Sequence, residues 1–173
     1  SFDAAPLFEL ARQAIHHHLQ GTHFEPQKTG SVYPPHHGLF VTLWKKDGGL
    51  RGCIGHTHKS NLPLDEDVAQ YAISAATKDP RFAPVTLEEL DDLKMEFSVL
   101  TPSEKVSDRS QLNPKEYGIV VAAGFKRGVL LPEVQGVETV EQQIEITCRK
   151  ANIAAHEDMD IYRFRSIKFK EES

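Results

Sequence analysis

The sequence predicts an α+β fold with a mainly antiparallel sheet and flanking helices, and three observations support this. Alternating apolar residues return across short turn segments in two places, which is typical of β-hairpins. Other stretches carry apolar residues at helical spacing, and regular β-α-β alternation is missing. No linker or repeat interrupts the 173 residues, so we expect one domain over residues 1–173.

The first helix is predicted over residues 6–20. Pro6 suits a first helical turn, and Gly21 suits a helix end. The stretch 21–38 is rich in proline, glycine and polar residues, so we expect an irregular surface connection.

Three further helices follow from their end signals. Residues 63–77 open with acidic side chains that favour a helix start, and Asp79-Pro80 ends the pattern. Two capping boxes predict a short helical turn and a helix to about residue 151, namely Thr86 with Glu89 and Thr139 with Gln142.

The strands are predicted by alternation and turn residues. Residues 39–45 and 50–57 form a hairpin across Asp47-Gly48, which places Trp44 opposite Arg51, Thr42 opposite Cys53 and Val41 opposite Ile54. The other predicted strands are 93–100, a second hairpin of 117–123 and 129–132 around the loop 124–128, and a closing strand 161–170 with a bulge near Ser166.

Composition excludes several classes of function. The net charge of −5 argues against a nucleic-acid partner, which normally requires a basic surface. No apolar run reaches membrane-spanning length, and the first residues lack a secretory signal pattern. We therefore expect a cytoplasmic protein with no membrane partner, in which both cysteines stay reduced.

The segment around Cys53 is the strongest candidate for a functional site. Gly52 and Gly55 flank this cysteine, and glycine inside a strand marks a bulge or a close approach of a ligand or backbone. A neighbouring cation such as Arg51 would favour the thiolate of a nucleophilic or redox cysteine. The alternative interpretation is that Cys53 is a small packing residue, as free cysteines commonly are.

Other side chains are candidates for the same site. Glu96 is a candidate proton carrier, although a salt bridge to Arg51 or Arg81 is the simpler use. His56 and His58 are the nearest candidate bases, but alternation along a strand puts both on the face opposite Cys53. A zinc site of Cys53 with these two histidines lacks further ligands, so we expect no metal and no cofactor.

Five motifs together resemble the AMMECR domain family, whose prokaryotic members are called AmmeMemoRadiSam system protein A. They extend over nearly the whole chain: Leu50-Arg51-Gly52-Cys53-Ile54-Gly55, Asp79-Pro80-Arg81-Phe82-Ala83-Pro84, Glu96-Phe97-Ser98-Val99-Leu100-Thr101-Pro102, Gly128-Val129-Leu130-Leu131-Pro132-Glu133-Val134 and Cys148-Arg149-Lys150-Ala151. The sequence departs from the family pattern at two places, both outside the Cys53 region. Gln135-Gly136-Val137 stands where the family has an aromatic residue, and Asn152 replaces a glycine.

The resemblance implies a compact fold of two interdependent lobes and no established reaction. It also implies partnership with a Memo-type protein and a radical S-adenosylmethionine protein. This chain lacks the three-cysteine signature of the radical protein's iron–sulfur cluster.

Two functions from different classes remain open. The first is an enzyme or enzyme subunit with a solvent-reachable pocket beside Cys53 for a small polar or anionic substrate. Cys53, Glu96 and His56 would be catalytic there, and the substrate would be bound by Arg51, Gly52, Gly55, His58 and Arg81. The second is a non-catalytic module that binds a partner protein or a ligand.

Overall fold

The computed structural model describes residues 2–26 and 32–172. The described chain divides into two compact units, the first running to Val99 and resuming at Ile167, and the second comprising Leu100–Ser166. The predicted irregular connection lies partly outside the described residues, which omit 27–31. No helix of the described part is long and apolar enough to cross a membrane.

The elements confirm the predicted α+β class with mainly antiparallel sheets. The helices are α1 (Ala5–Gln20), α2 (Leu64–Thr77), α3 (Leu87–Leu90) and α4 (Val140–Lys150). The strands are β1 (Gly38–Trp44), β2 (Leu50–His56), β3 (Lys94–Leu100), β4 (Glu104–Lys105), β5 (Gly118–Ala123), β6 (Lys126–Leu130), β7 (Asp160–Phe164) and β8 (Ser166–Lys170), and a 3₁₀ turn spans Arg109–Gln111.

The first unit packs α1 and α2 against a sheet of strand order β2-β1-β3-β8. The apolar face of β1 is fully buried, and Ile54 of β2 packs against the same core. Gly21 ends α1 in the left-handed conformation, with φ 71°. The core of this unit contains, among others, Leu39, Val41, Leu43, Val68, Met95 and Phe97.

The β1–β2 register agrees with the prediction in the middle of the hairpin and differs near the turn. Thr42 lies opposite Cys53 and Val41 opposite Ile54, but Trp44 lies opposite Leu50 and not opposite Arg51. The reason is an irregularity at Leu43/Trp44: the backbone N–H of Lys45 donates to the carbonyl of Gly49 at 2.7 Å, which leaves Arg51 as an extra residue.

The second unit packs α4 against a sheet of order β4-β7-β5-β6. Its hairpin turns more tightly than predicted, because Ala123 pairs with Lys126 across two turn residues, the first of them Gly124 at φ 59°. Both predicted capping boxes are present, at Thr86 and Thr139.

The predicted closing strand 161–170 is two strands in two different sheets. Arg165 separates β7 from β8. Its N–H donates to the Thr101 hydroxyl at 2.8 Å, and its carbonyl accepts from the Thr101 N–H at 2.9 Å. The phase slip predicted as a bulge near Ser166 is therefore the point at which the chain leaves one sheet for the other.

Candidate functional site

Cys53 lies on β2, which is an edge strand, and on the open side of this strand the backbone of Cys53 is bound by side chains. The Cys53 N–H donates to the Asp79 carboxylate at 3.0 Å. The Arg81 guanidinium approaches the Cys53 carbonyl at 3.4 Å. Asp79 and Arg81 thus satisfy the two backbone groups that an exposed edge would offer to another chain.

Asp79 and Arg81 form a bidentate ion pair. The guanidinium donates from Nε to Oδ1 at 3.0 Å and from Nη2 to Oδ2 at 2.8 Å, and the Arg81 backbone N–H adds a bond of 3.0 Å to Oδ1. The side chain of Asp79 is 2% exposed, whereas that of Arg81 is 57% exposed. The hydrogen bonds from Arg81 outweigh burial and hold the pKa of Asp79 far below its usual range.

The Cys53 thiol is half-buried and contacts a hydroxyl. Its Sγ lies 3.1 Å from Oγ1 of Thr42, the residue opposite it on β1, and Thr42 is buried. A threonine hydroxyl is not a base at neutral pH. The contact therefore orients the thiol without offering to remove its proton.

Arg51 is paired with Glu89. Its Nε donates to Oε1 at 2.6 Å, and the guanidinium lies 6.0 Å from the centre of the Phe82 ring. The bond from Arg51 lowers the pKa of Glu89, the carboxylate that also completes the capping box of α3. The prediction of a salt bridge from Glu96 to Arg51 or Arg81 is wrong. Arg51 pairs with Glu89, and Arg81 pairs with Asp79.

The two glycines beside Cys53 make room for backbone. A Cβ on Gly52 would stand 2.2 Å from the carbonyl oxygen of Ala75 in α2, and one on Gly55 would stand 2.2 Å from that of Leu39. Close packing of the helix and of the neighbouring strand accounts for both glycines. Binding of a ligand is not needed to explain them.

The remaining predicted site residues are not among the described contacts of the Cys53 thiol. His56 faces α2, where its Nε2 lies 2.7 Å from Asp67 and its ring packs against Tyr71. The His58 carbonyl lies 3.0 Å from Nδ1 of His56. Glu96 is half-buried on β3. The pocket predicted beside Cys53 stays a prediction: the cavities of 740, 510 and 330 Å³ have other linings.

Most of the chain matches one known protein family. The family model AMMECR1 matches residues 8–169. The chain belongs to the AMMECR1 family. A protein of Thermotoga maritima is 41% identical over 95% of this chain and 97% of its own length. The crystal structure of an uncharacterized protein of Pyrococcus horikoshii superposes with a TM-score of 0.78 at 36% identity, covering 98% of this chain and 91% of that one.

Another AMMECR1-family relative is much longer than this chain. A protein of Clostridium acetobutylicum is 44% identical over 78% of this chain, and the match covers 28% of its own length. The AMMECR1 domain therefore also occurs as one part of a larger protein.

This AMMECR1-family chain also has a polar cluster that the sequence patterns did not predict. The Asp67 Oδ2 atom lies 2.6 Å from Nε2 of His36 and 2.7 Å from Nε2 of His56. Burial acts to raise the pKa of Asp67, but the hydrogen bonds from both histidines outweigh it and leave the pKa low. The three ligand atoms lie within 4.8 Å of one another, so this donor set could hold a metal ion.

Proposed function

We propose that this AMMECR1-family chain is a non-catalytic module that binds a partner protein through the Cys53 segment. The observation that carries the proposal is the pairing of both nearby cations: Arg81 is bound to Asp79 and Arg51 to Glu89. A cation favours a thiolate most when its charge is not neutralised by a closer carboxylate. The two ion pairs around Cys53 therefore favour a rigid surface over a nucleophilic cysteine.

The position of the candidate bases supports the same proposal. His56 points away from the thiol and is hydrogen-bonded to Asp67, while the hydroxyl of Thr42 contacts the sulfur. Nucleophilic catalysis by cysteine needs a lowered thiol pKa or a base within hydrogen-bond reach. The described contacts of the Cys53 sulfur include the Thr42 hydroxyl and no base.

The exposed half of the Arg81 guanidinium is the feature suited to recognition. It is fixed by two bonds to a buried carboxylate and lies 5.5 Å from the Phe82 ring centre, so little side-chain freedom is lost on binding. A fixed arginine beside an aromatic ring is common at the centre of protein interfaces. By family resemblance, the partners would be a Memo-type protein and a radical S-adenosylmethionine protein, in the cytoplasm.

Calorimetric titration against each purified partner from the same organism tests the proposal. We expect Arg81→Gln to weaken binding by about tenfold or more. Arg149→Gln, which removes another exposed, ion-paired arginine, should change affinity by less than about twofold. Cys53→Ser should also bind normally. Absence of binding to both partners, or equal binding by Arg81→Gln and wild type, contradicts the proposal.

One observation favours a second candidate, a thiol enzyme acting on a small polar or anionic substrate. Cys53 is half-buried rather than enclosed, and an exposed guanidinium lies beside its backbone. In this alternative, Arg81 binds an anionic group of the substrate beside the Cys53 thiol, which is the candidate nucleophile. The rate of thiol alkylation separates the two candidates.

A further inference from the structure

The cluster of His36, Asp67 and His56 brings together three separate segments of the first unit. His36 lies two residues before β1, His56 is the last residue of β2, and Asp67 lies in the first turn of α2. The register of the hairpin brings His36 close to His56, because Leu39 pairs directly with His56. The sheet and the helix therefore place His56 and Asp67, and the segment that leads into β1 places His36.

The cluster is almost completely removed from solvent. The side chains of His36, Asp67 and His56 are 4%, 2% and 14% exposed. Burial of three polar side chains at one point is costly unless they satisfy one another or hold an ion. Two imidazole nitrogens and a carboxylate oxygen are the donor set of many sites for first-row transition metals.

The hydrogen bonds of His56 are those of a metal ligand. Its Nδ1 lies 3.0 Å from the backbone carbonyl of His58, and its Nε2 faces Asp67. Histidine ligands in metal sites typically donate one ring N–H to a backbone carbonyl or carboxylate, which orients the other nitrogen toward the ion. The His58 carbonyl at Nδ1 and the Asp67 carboxylate at Nε2 are both acceptors. When Nδ1 carries the ring proton, a cation between Nε2 and the carboxylate is bound by both of these atoms.

We propose that His36, His56 and Asp67 form a binding site for a divalent first-row transition metal ion. An ion of the zinc class sits about 2.0–2.2 Å from nitrogen and oxygen ligands, so its ligand atoms stand roughly 3 Å or more from one another. The present separations of 2.6 and 2.7 Å must therefore widen by several tenths of an ångström on binding. Of the three residues, His36 lines a cavity of 330 Å³.

Three protein ligands leave at least one coordination position for water or another small ligand. The site is independent of the Cys53 segment, because His56 and Cys53 lie on opposite faces of β2. From the sequence alone we expect no metal, because His56 is considered there only together with Cys53 and His58. The proposed site differs from that expectation.

Zinc titration of the chelator-treated full chain tests the site. Calorimetry should give one ion per chain, with a dissociation constant in the micromolar range or below. Asp67→Asn keeps the side-chain shape, His56→Gln keeps a polar side chain without the ring nitrogens, and each should weaken binding by about tenfold or more. His58→Ala, which keeps the carbonyl that contacts His56, and Cys53→Ser should bind zinc as the wild type does.

A second measurement does not depend on any variant. In wild-type protein labelled with ¹⁵N, zinc should shift the Nε2 resonances of two histidines and leave the exposed histidines unchanged. The thermal midpoint should rise with zinc in the wild type and not in Asp67→Asn. Absence of saturable binding by folded wild-type protein, or wild-type affinity in both Asp67→Asn and His56→Gln, overturns the proposal. The cluster is then a hydrogen-bonded tie between α2 and the sheet.

Discussion

Asp79 is the residue on which the Cys53 segment depends most. Its buried carboxylate accepts hydrogen bonds from the Cys53 backbone and from both the backbone and the side chain of Arg81. We predict that Asp79→Asn lowers the free energy of unfolding by about 1–3 kcal/mol, because buried donors lose a charged acceptor. Asp92→Asn, in an exposed ion pair with Lys46, should cost less than about 1 kcal/mol. Urea unfolding measures both.

The effect of Asp79 also depends on pH. Its pKa is lower in the folded chain than in the unfolded chain, so its stabilisation is complete above the unfolded value of about 4 and is lost as the pH falls toward the folded value. The difference in unfolding free energy between wild type and Asp79→Asn should therefore shrink from pH 5 to pH 3. A constant difference over this range contradicts the assignment.

Gly52 tests whether the glycines beside Cys53 serve packing. A Cβ there meets the Ala75 carbonyl, a backbone atom that cannot turn aside, so we predict that Gly52→Ala costs about 1–3 kcal/mol. Gly49→Ala is the matched control. Its Cβ would meet the mobile ends of the Asp47 and Lys45 side chains at 3.0 Å, and its cost should be smaller. Equal stability of the two variants would show that Gly52 is not required for packing.

At the scale of the elements, local signals predicted most of the fold. The capping boxes at Thr86 and Thr139 and the glycine after α1 depend on neighbouring residues alone, and all three are present. The errors lie where distant contacts determine the backbone. The irregularity that displaces Arg51 and the crossing of Arg165 between sheets each depend on a partner that sequence spacing does not identify.

The candidate site follows the same rule. Side chains alternate between the two faces of a strand, and this local rule correctly predicts that Cys53 and His56, three residues apart on β2, lie on opposite faces. Asp67 is one of the acidic residues that open α2, and spacing along the sequence does not identify its partner His36, which lies 31 residues away. Only the folded sheet brings the two together.

Glu171, directly after the last strand β8, is bound by α1 and β3 within the first unit. Its carboxylate accepts two bonds of 2.7 Å from Arg12 and one of 3.1 Å from the Met95 N–H. We predict that Glu171→Gln lowers the free energy of unfolding by about 1–3 kcal/mol, because a bidentate charge-assisted pair is lost. Glu172→Gln, at the exposed neighbouring position, should be close to neutral in the same urea experiment.

At the scale of the whole molecule, the first unit is discontinuous in sequence, because the second is inserted between Val99 and Ile167. No linker composition marks either junction, so we predict a single cooperative unfolding transition. Differential scanning calorimetry measures it. Two resolved transitions, with an independently stable fragment 100–166, contradict the prediction. The expected absence of a nucleic-acid partner stays a prediction from the net charge of −5.

We propose that Cys53 belongs to a rigid binding surface and is not a nucleophile. The most direct test is the rate of iodoacetamide alkylation of native protein at pH 7, measured for Cys53 with Cys53→Ser as a control. Cys148 is the internal reference, since burial raises the pKa of its thiol and covers its sulfur. We predict that Cys53 reacts no faster than a free model thiol and that Arg81→Gln leaves its rate nearly unchanged. A rate about 100-fold above the model thiol, lost in Arg81→Gln, contradicts the claim and favours the enzyme.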